Sequence, residues 1–120
     1  MNMDESSLPE IAPRDVFLKI NSPAPFILLD VREPYELSLA RIQDTRVQFA
    51  PMSEIAHFGL EALPEGARDP DAEIVVFCHQ GIRSAQVTAW LLAQGWNNIQ
   101  NLSGGIDAYA REVDPRIGLY

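Results

Sequence analysis

The sequence predicts an α/β fold with a mainly parallel central sheet flanked by helices on both faces, and three observations lead there. "FILLDV" and "EIVVF" are nearly continuous apolar runs, the pattern of strands covered on both faces rather than half-exposed ones. Segments with apolar residues at helical spacing, closed by glycine or proline, lie between such runs. Strand and helix patterns then alternate along the chain, as in successive βαβ units.

Size and charge bound the rest. With 120 residues, 47% of them hydrophobic, the chain suits one compact domain, assigned to residues 9–120, behind an N-terminus expected to fray over residues 1–8. A net charge of -8 with nine Lys+Arg opposes a phosphate backbone, so no nucleic-acid partner is expected. No apolar run approaches the roughly 20 residues that span a bilayer, and "MNMDESSLPE" lacks the basic and apolar parts of a signal peptide. A cytoplasmic protein without a membrane partner is the expectation. One cysteine forms no internal disulfide, and Cys78 with His57 and His79 makes a poor zinc set, so no metal or other cofactor is expected.

The elements follow in order. A helix is expected to start near Arg14 and Asp15, with Val16, Phe17 and Ile20 on one face, and to break at Asn21–Pro25. "FILLDV" is a strand inside the sheet, "EPYELSLARI" a helix with proline in its first turn, and "TRVQFAP" a short strand. "SEIAHFGLEALP" reads as a helix capped by Ser53 and closed by Pro64, with Gly59 weakening it. "EIVVF" is the second buried strand; Arg83–Gln94 is a helix with Ala85, Ala89 and Leu92 on one face, Val87 and Leu91 adjoining, and Gly95 as its stop. "NNIQNL", "SGG" and "IDAYAREV" complete the chain as strand, turn and helix. Trp90 and Trp96 read as packing, Gly104 and Gly105 as a turn, and His57 as a helix residue without a partner.

Chemistry concentrates in "IVVFCHQGIRSAQ". Cys78 stands at the carboxyl end of a strand whose loop feeds a helix, where open α/β sheets gather ligands and the first helical amides have no intrahelical partner. Those amides, the helix dipole and Arg83 together would stabilise a thiolate and hold an anionic substrate beside it. Gly81 suits a loop folded around an anion. His79 follows Cys78 directly, and neighbours leaving a strand point apart, so it lines the loop rather than pairing with the thiol. Asp30 and Arg32 also end a strand: they either line the mouth of the site or form an ion pair that fixes the loop. A plain buried cysteine with a solvated arginine is the competing explanation, and the joint register of strand, glycine, arginine and helix outweighs it.

"ILLDVREPYEL", "IVVFCHQGIRSAQVTAWLLAQGW" and "NIQNLSGGIDAYA" resemble, in order and spacing, the single-domain rhodanese-like sulfurtransferases. That resemblance implies a rhodanese-like fold and a Cys78 that takes a sulfane sulfur from a small anionic donor such as thiosulfate. The sulfur would be carried as a persulfide to an external thiol or other nucleophilic acceptor, a protein among the candidates. The loop His79, Gln80, Gly81, Ile82 and Arg83 would bind the donor, with Asp30, Arg32 and Ser84 behind it. The chain departs from the family at Ala40, Arg41, Gln43 and Asp44, which leaves that loop's geometry open, and has Tyr109 where tryptophan is common.

Two other functions compete. A cysteine phosphatase or arsenate reductase on the same scaffold would separate cysteine from arginine by five residues, whereas four, His79 to Ile82, intervene here. The other is a non-catalytic module that presents or senses sulfur for a partner; the intact cysteine, glycine and arginine argue against a dead site but do not by themselves prove turnover.

Overall fold

The computed structural model describes residues 8–120. Of the expected frayed segment only Leu8 falls within them, and it is buried; residues 1–7 lie outside the described residues. Strands β1 (Glu10–Ile11), β2 (Ile27–Asp30), β3 (Val47–Phe49), β4 (Ile74–Phe77) and β5 (Ile99–Leu102) form one sheet in the order β1-β5-β4-β2-β3. Every pairing is parallel. The helices are α1 (Pro13–Ile20), α2 (Met52–Phe58), α3 (Ile82–Ala93) and α4 (Gly105–Glu112).

The apolar runs are covered on both faces, as their composition predicts. Leu29, Ile74, Val76 and Cys78 point into a cluster shared with Ile55 of α2 and Val87 and Leu91 of α3. Leu28, Val75 and Phe77 point the other way, against Val16 of α1 and Ile106 and Tyr109 of α4. Trp96 closes the first cluster and donates its indole N–H to the Ala67 carbonyl at 2.9 Å. Tyr109, almost fully buried, takes an aromatic core position in the second.

Strand β2 sits between β3 and β4, so the chain moves outward to β3 and then returns across β2. This places a topological switch point at the carboxyl ends of β2 and β4, where Asp30 is in register with Phe77.

Four elements differ from expectation in whole or in part. The helix expected over "EPYELSLARI" is a single 3-10 stretch, Pro34–Ser38, because the Ala40 carbonyl turns onto the Arg32 guanidinium at 2.8 Å. Helix α2 begins at Met52 and stops at Phe58, where Gly59 takes a positive φ of 64° before a 3-10 turn, Gly59–Ala62. Ser53 is therefore inside this helix instead of capping it; its N–H and hydroxyl donate to Glu33 at 3.1 and 2.6 Å. In α3 the buried side runs through Ser84, Ala85, Val87, Thr88 and Leu91, so Ala85 and the adjoining Val87 and Leu91 are buried as expected, whereas Ala89 and Leu92 are only half-buried. The two-residue strand β1 was not signalled by the polar and proline-rich "PEIAPR".

The segment that departs from the family pattern is firmly built. Ala40 and Ile42 are buried, and Asp44 holds Arg46 at 2.9 Å. Arg46 in turn donates to the carbonyls of Lys19, Ile20, Ser22 and Ala24, tying together the last turn of α1 and the segment that follows it.

Candidate functional site

Cys78 follows β4 directly and is 1% exposed. Its sulfur accepts the N–H of Gly81 at 3.1 Å and that of Ser84 at 3.3 Å, and the Ser84 hydroxyl stands 3.3 Å away. Ser84 is the third residue of α3, so its amide is one of the donors that the helix cannot use internally. Donors converging on one sulfur stabilise negative charge there. Gly81 turns the loop back at φ 97°, a conformation that disfavours any side chain.

The underside of the loop rests on α4. The Cys78 and His79 carbonyls accept the N–H groups of Ile106 and Asp107, each at 2.9 Å. A Cβ on Gly105 would come within 2.5 Å of the His79 oxygen and 2.6 Å of the Cys78 oxygen. The glycine pair read as a turn from sequence is also the bed on which the cysteine loop lies.

Arg83 is ion-paired, although partly exposed. Its two terminal nitrogens donate to the two oxygens of Glu36 at 2.7 and 2.9 Å, although the residues are 47 positions apart. Glu36, 3% exposed, also accepts the Glu33 N–H at 2.9 Å and the Tyr120 hydroxyl at 2.9 Å. The Arg83 hydrogen bonds, first among these donors, hold the Glu36 carboxyl down at about 2 against the cost of burial. The Glu36 hydrogen bond correspondingly raises Arg83.

Asp30 and Arg32 do not line the mouth of the site. Both are 1% exposed, and their ion pair closes at 2.9 Å beneath it. Burial works against the Arg32 charge, but hydrogen bonding to Asp30 and Tyr120 outweighs it, and its pKa is raised. Arg32 then spends its remaining donors on the Glu36 and Ala40 carbonyls and the Tyr120 oxygen, which fixes the "VREPYEL" turn. A charged pair buried this deeply needs every partner filled, and the ion-pair alternative is the one the geometry takes.

His79 is half-buried and its ring stacks on Tyr120, with centroids 3.8 Å apart and planes 9° from parallel. Gln80 and Ile82 are exposed, Ile82 at 67%. Ser84, expected only to stand behind the loop, contacts the sulfur itself. His57 is exposed in α2, edge-on to Phe58. Among the described residues no group of three or more His, Cys, Asp or Glu side chains is placed to hold a metal ion, and no helix is long and apolar enough to cross a membrane.

Sequence reasoning missed Glu36 and Tyr120. Glu36 lay within the quoted "REPYEL", three residues after Glu33 in the spacing of a capping box, which was the available signal. Tyr120 carried none, because its contacts with Arg32 and Glu36 span 88 and 84 positions.

The rhodanese-like domain model matches residues 14–112. A sulfurtransferase of Allochromatium vinosum is 36% identical over 89 residues, which cover 74% of this chain and 76% of that protein. The rhodanese-like/PpiC domain-containing protein 12, chloroplastic, of Arabidopsis thaliana is 37% identical over 94 residues, 78% of this chain but only 30% of the relative's length. A rhodanese-related protein from Thermoplasma volcanium superposes with a TM-score of 0.67 at 30% identity, covering 88% of this chain and 93% of that one. With its parallel sheet, its cysteine loop and these similarities, the chain belongs to the rhodanese-like domain family, in which its relatives include sulfurtransferases.

Proposed function

We propose that this domain transfers a sulfane sulfur from a small anionic donor to an external nucleophile through a persulfide on Cys78. The observation that carries the reading is the convergence of the Gly81 and Ser84 amides on the Cys78 sulfur. The Cys78 thiolate attacks the outer sulfur of a donor such as thiosulfate. A new S–S bond forms as the donor's own S–S bond breaks, and sulfite leaves with the electron pair. The terminal persulfide sulfur is again an anion, and the loop amides and α3 N-terminus suit it as they suit the thiolate. An acceptor thiolate then attacks that sulfur, forming a persulfide on the acceptor and returning the Cys78 thiolate. No outside oxidant or reductant enters the balance.

Cys78 is the chain's one cysteine, so an internal disulfide cannot discharge the persulfide, and the acceptor comes from outside. A small thiol or a protein thiol satisfies this chemistry. Arg83 has its charge matched and its guanidinium oriented by Glu36, so it assists the loop amides in holding the donor without the free positive charge that a phosphate-binding loop needs. Intact-protein mass spectrometry after incubation with thiosulfate should show one added sulfur in the wild type and none in Cys78→Ser. Wild-type protein left unmodified by thiosulfate and by inorganic polysulfide alike sinks the proposal.

A further inference from the structure

Tyr120 lies outside every motif of the sequence, yet it touches both the cysteine loop, at His79, and the turn after β2, at Arg32 and Glu36. Its ring stacks on His79 at 3.8 Å, next to Cys78, and the Nε2 of His79 lies buried with no hydrogen-bond partner among the described residues. The aromatic face thus restrains an imidazole that has no hydrogen bond at Nε2 to hold it. The Tyr120 hydroxyl accepts from Arg32 at 3.1 Å and donates to Glu36 at 2.9 Å. Glu36 oxygen Oε1 takes both this proton and one from Arg83, so the tyrosine fixes the carboxylate that orients the guanidinium. Burial of the phenol, half-buried against the second core cluster, raises its pKa to about 12.

We infer that Tyr120 is a positioning residue for sulfur transfer, acting on the donor through Glu36 and Arg83 and on the loop through His79. The inference rests on the sulfur-transfer reading for its substrate. Its geometry divides cleanly between two parts of one side chain. Tyr120→Phe keeps the stack and removes the hydroxyl, whereas Tyr120→Leu removes both.

The experiment is steady-state transfer from thiosulfate to cyanide as a probe acceptor, together with the rate of Cys78 alkylation by iodoacetamide at one fixed pH. Tyr120→Phe should raise KM for thiosulfate about threefold to tenfold, the scale of one hydrogen bond to a charged group, with kcat within about twofold. Its alkylation rate should match wild type, whereas Tyr120→Leu should change alkylation by about threefold or more as His79 is released. Val113→Ala, which loosens packing against the same core cluster and removes none of the Tyr120 contacts to His79, Arg32 or Glu36, serves as the control for simple destabilisation. Unchanged KM in Tyr120→Phe, or the same effects in Val113→Ala, overturns the assignment. Should wild type accept no sulfur, the transfer reading falls, and the alkylation comparison alone decides whether Tyr120 positions the loop.

Discussion

Glu36 and Arg83 meet in a two-point contact, 2.7 and 2.9 Å, that joins the turn after β2 to the first turn of α3. The carboxylate is nearly sealed from water while the guanidinium side chain keeps 31% exposure. The pair therefore clamps one rim of the cysteine loop with a buried anion and a cation that still faces solvent.

Glu36→Gln should lower stability at neutral pH by about 2 kcal/mol, less than for a fully buried pair because Arg83 remains partly hydrated. The pH dependence supplies the sharper test. Glu36 falls from the usual 4.5 to about 2 on folding, so its contribution is present above about 4.5 and is lost as pH drops toward 2. Urea unfolding measured across that window should show a flatter acid limb in Glu36→Gln than in wild type. Parallel curves would show that another group governs the acid limb.

Gly105→Ala forces a Cβ against two carbonyl carriers, 2.5 Å from the His79 oxygen and 2.6 Å from that of Cys78, at a φ of 65°. The expected cost is roughly 2–4 kcal/mol, from overpacking added to backbone strain, with loss of persulfide formation. Gly95→Ala shares the positive φ, 106°, but has nothing within 4 Å of the added carbon. It should lose only about 1 kcal/mol and keep its sulfur loading. Equal effects of the two in denaturation and mass spectrometry would refute the contact as the cause.

Arg46→Ala removes donors from the carbonyls of Lys19, Ile20, Ser22 and Ala24 and leaves Asp44 without its partner. Thermal and urea denaturation should reveal a loss of about 2–3 kcal/mol. Persulfide formation in the folded protein should stay within about twofold of wild type, because none of these contacts reaches the loop. A selective loss of transfer at unchanged stability would contradict this placement.

The sheet and the cysteine loop were legible in the sequence because both are written in short stretches. "FILLD" and "EIVVF" could be covered on both faces only inside a sheet, and Cys78, Gly81, Arg83 and Ser84 fall within seven consecutive residues. What escaped depends on distance along the chain. Arg32 ends the "EPYELSLARI" helix early by capturing the Ala40 carbonyl, a tertiary contact that overrides a sound local pattern. Arg83 looked free to hold an anion because its partner, Glu36, is on another element. Asp30 and Arg32 were correctly kept as a possible pair, but only their burial decided between a fixing and a lining role. Tyr120 was invisible for the same reason, its contacts being made entirely across the fold.

The hydrogen bonds from Ile106 and Asp107 to the Cys78 and His79 carbonyls act as a ruler for the loop. They register its first two residues against a helix start that has no slack, while Gly81 and Ser84 fix the far end to the sulfur. Any residue inserted to enlarge the anion site must therefore emerge around Gln80, on the solvent side. Converting this scaffold to a larger oxyanion would demand a new outer wall, with the α4 bed left as it is.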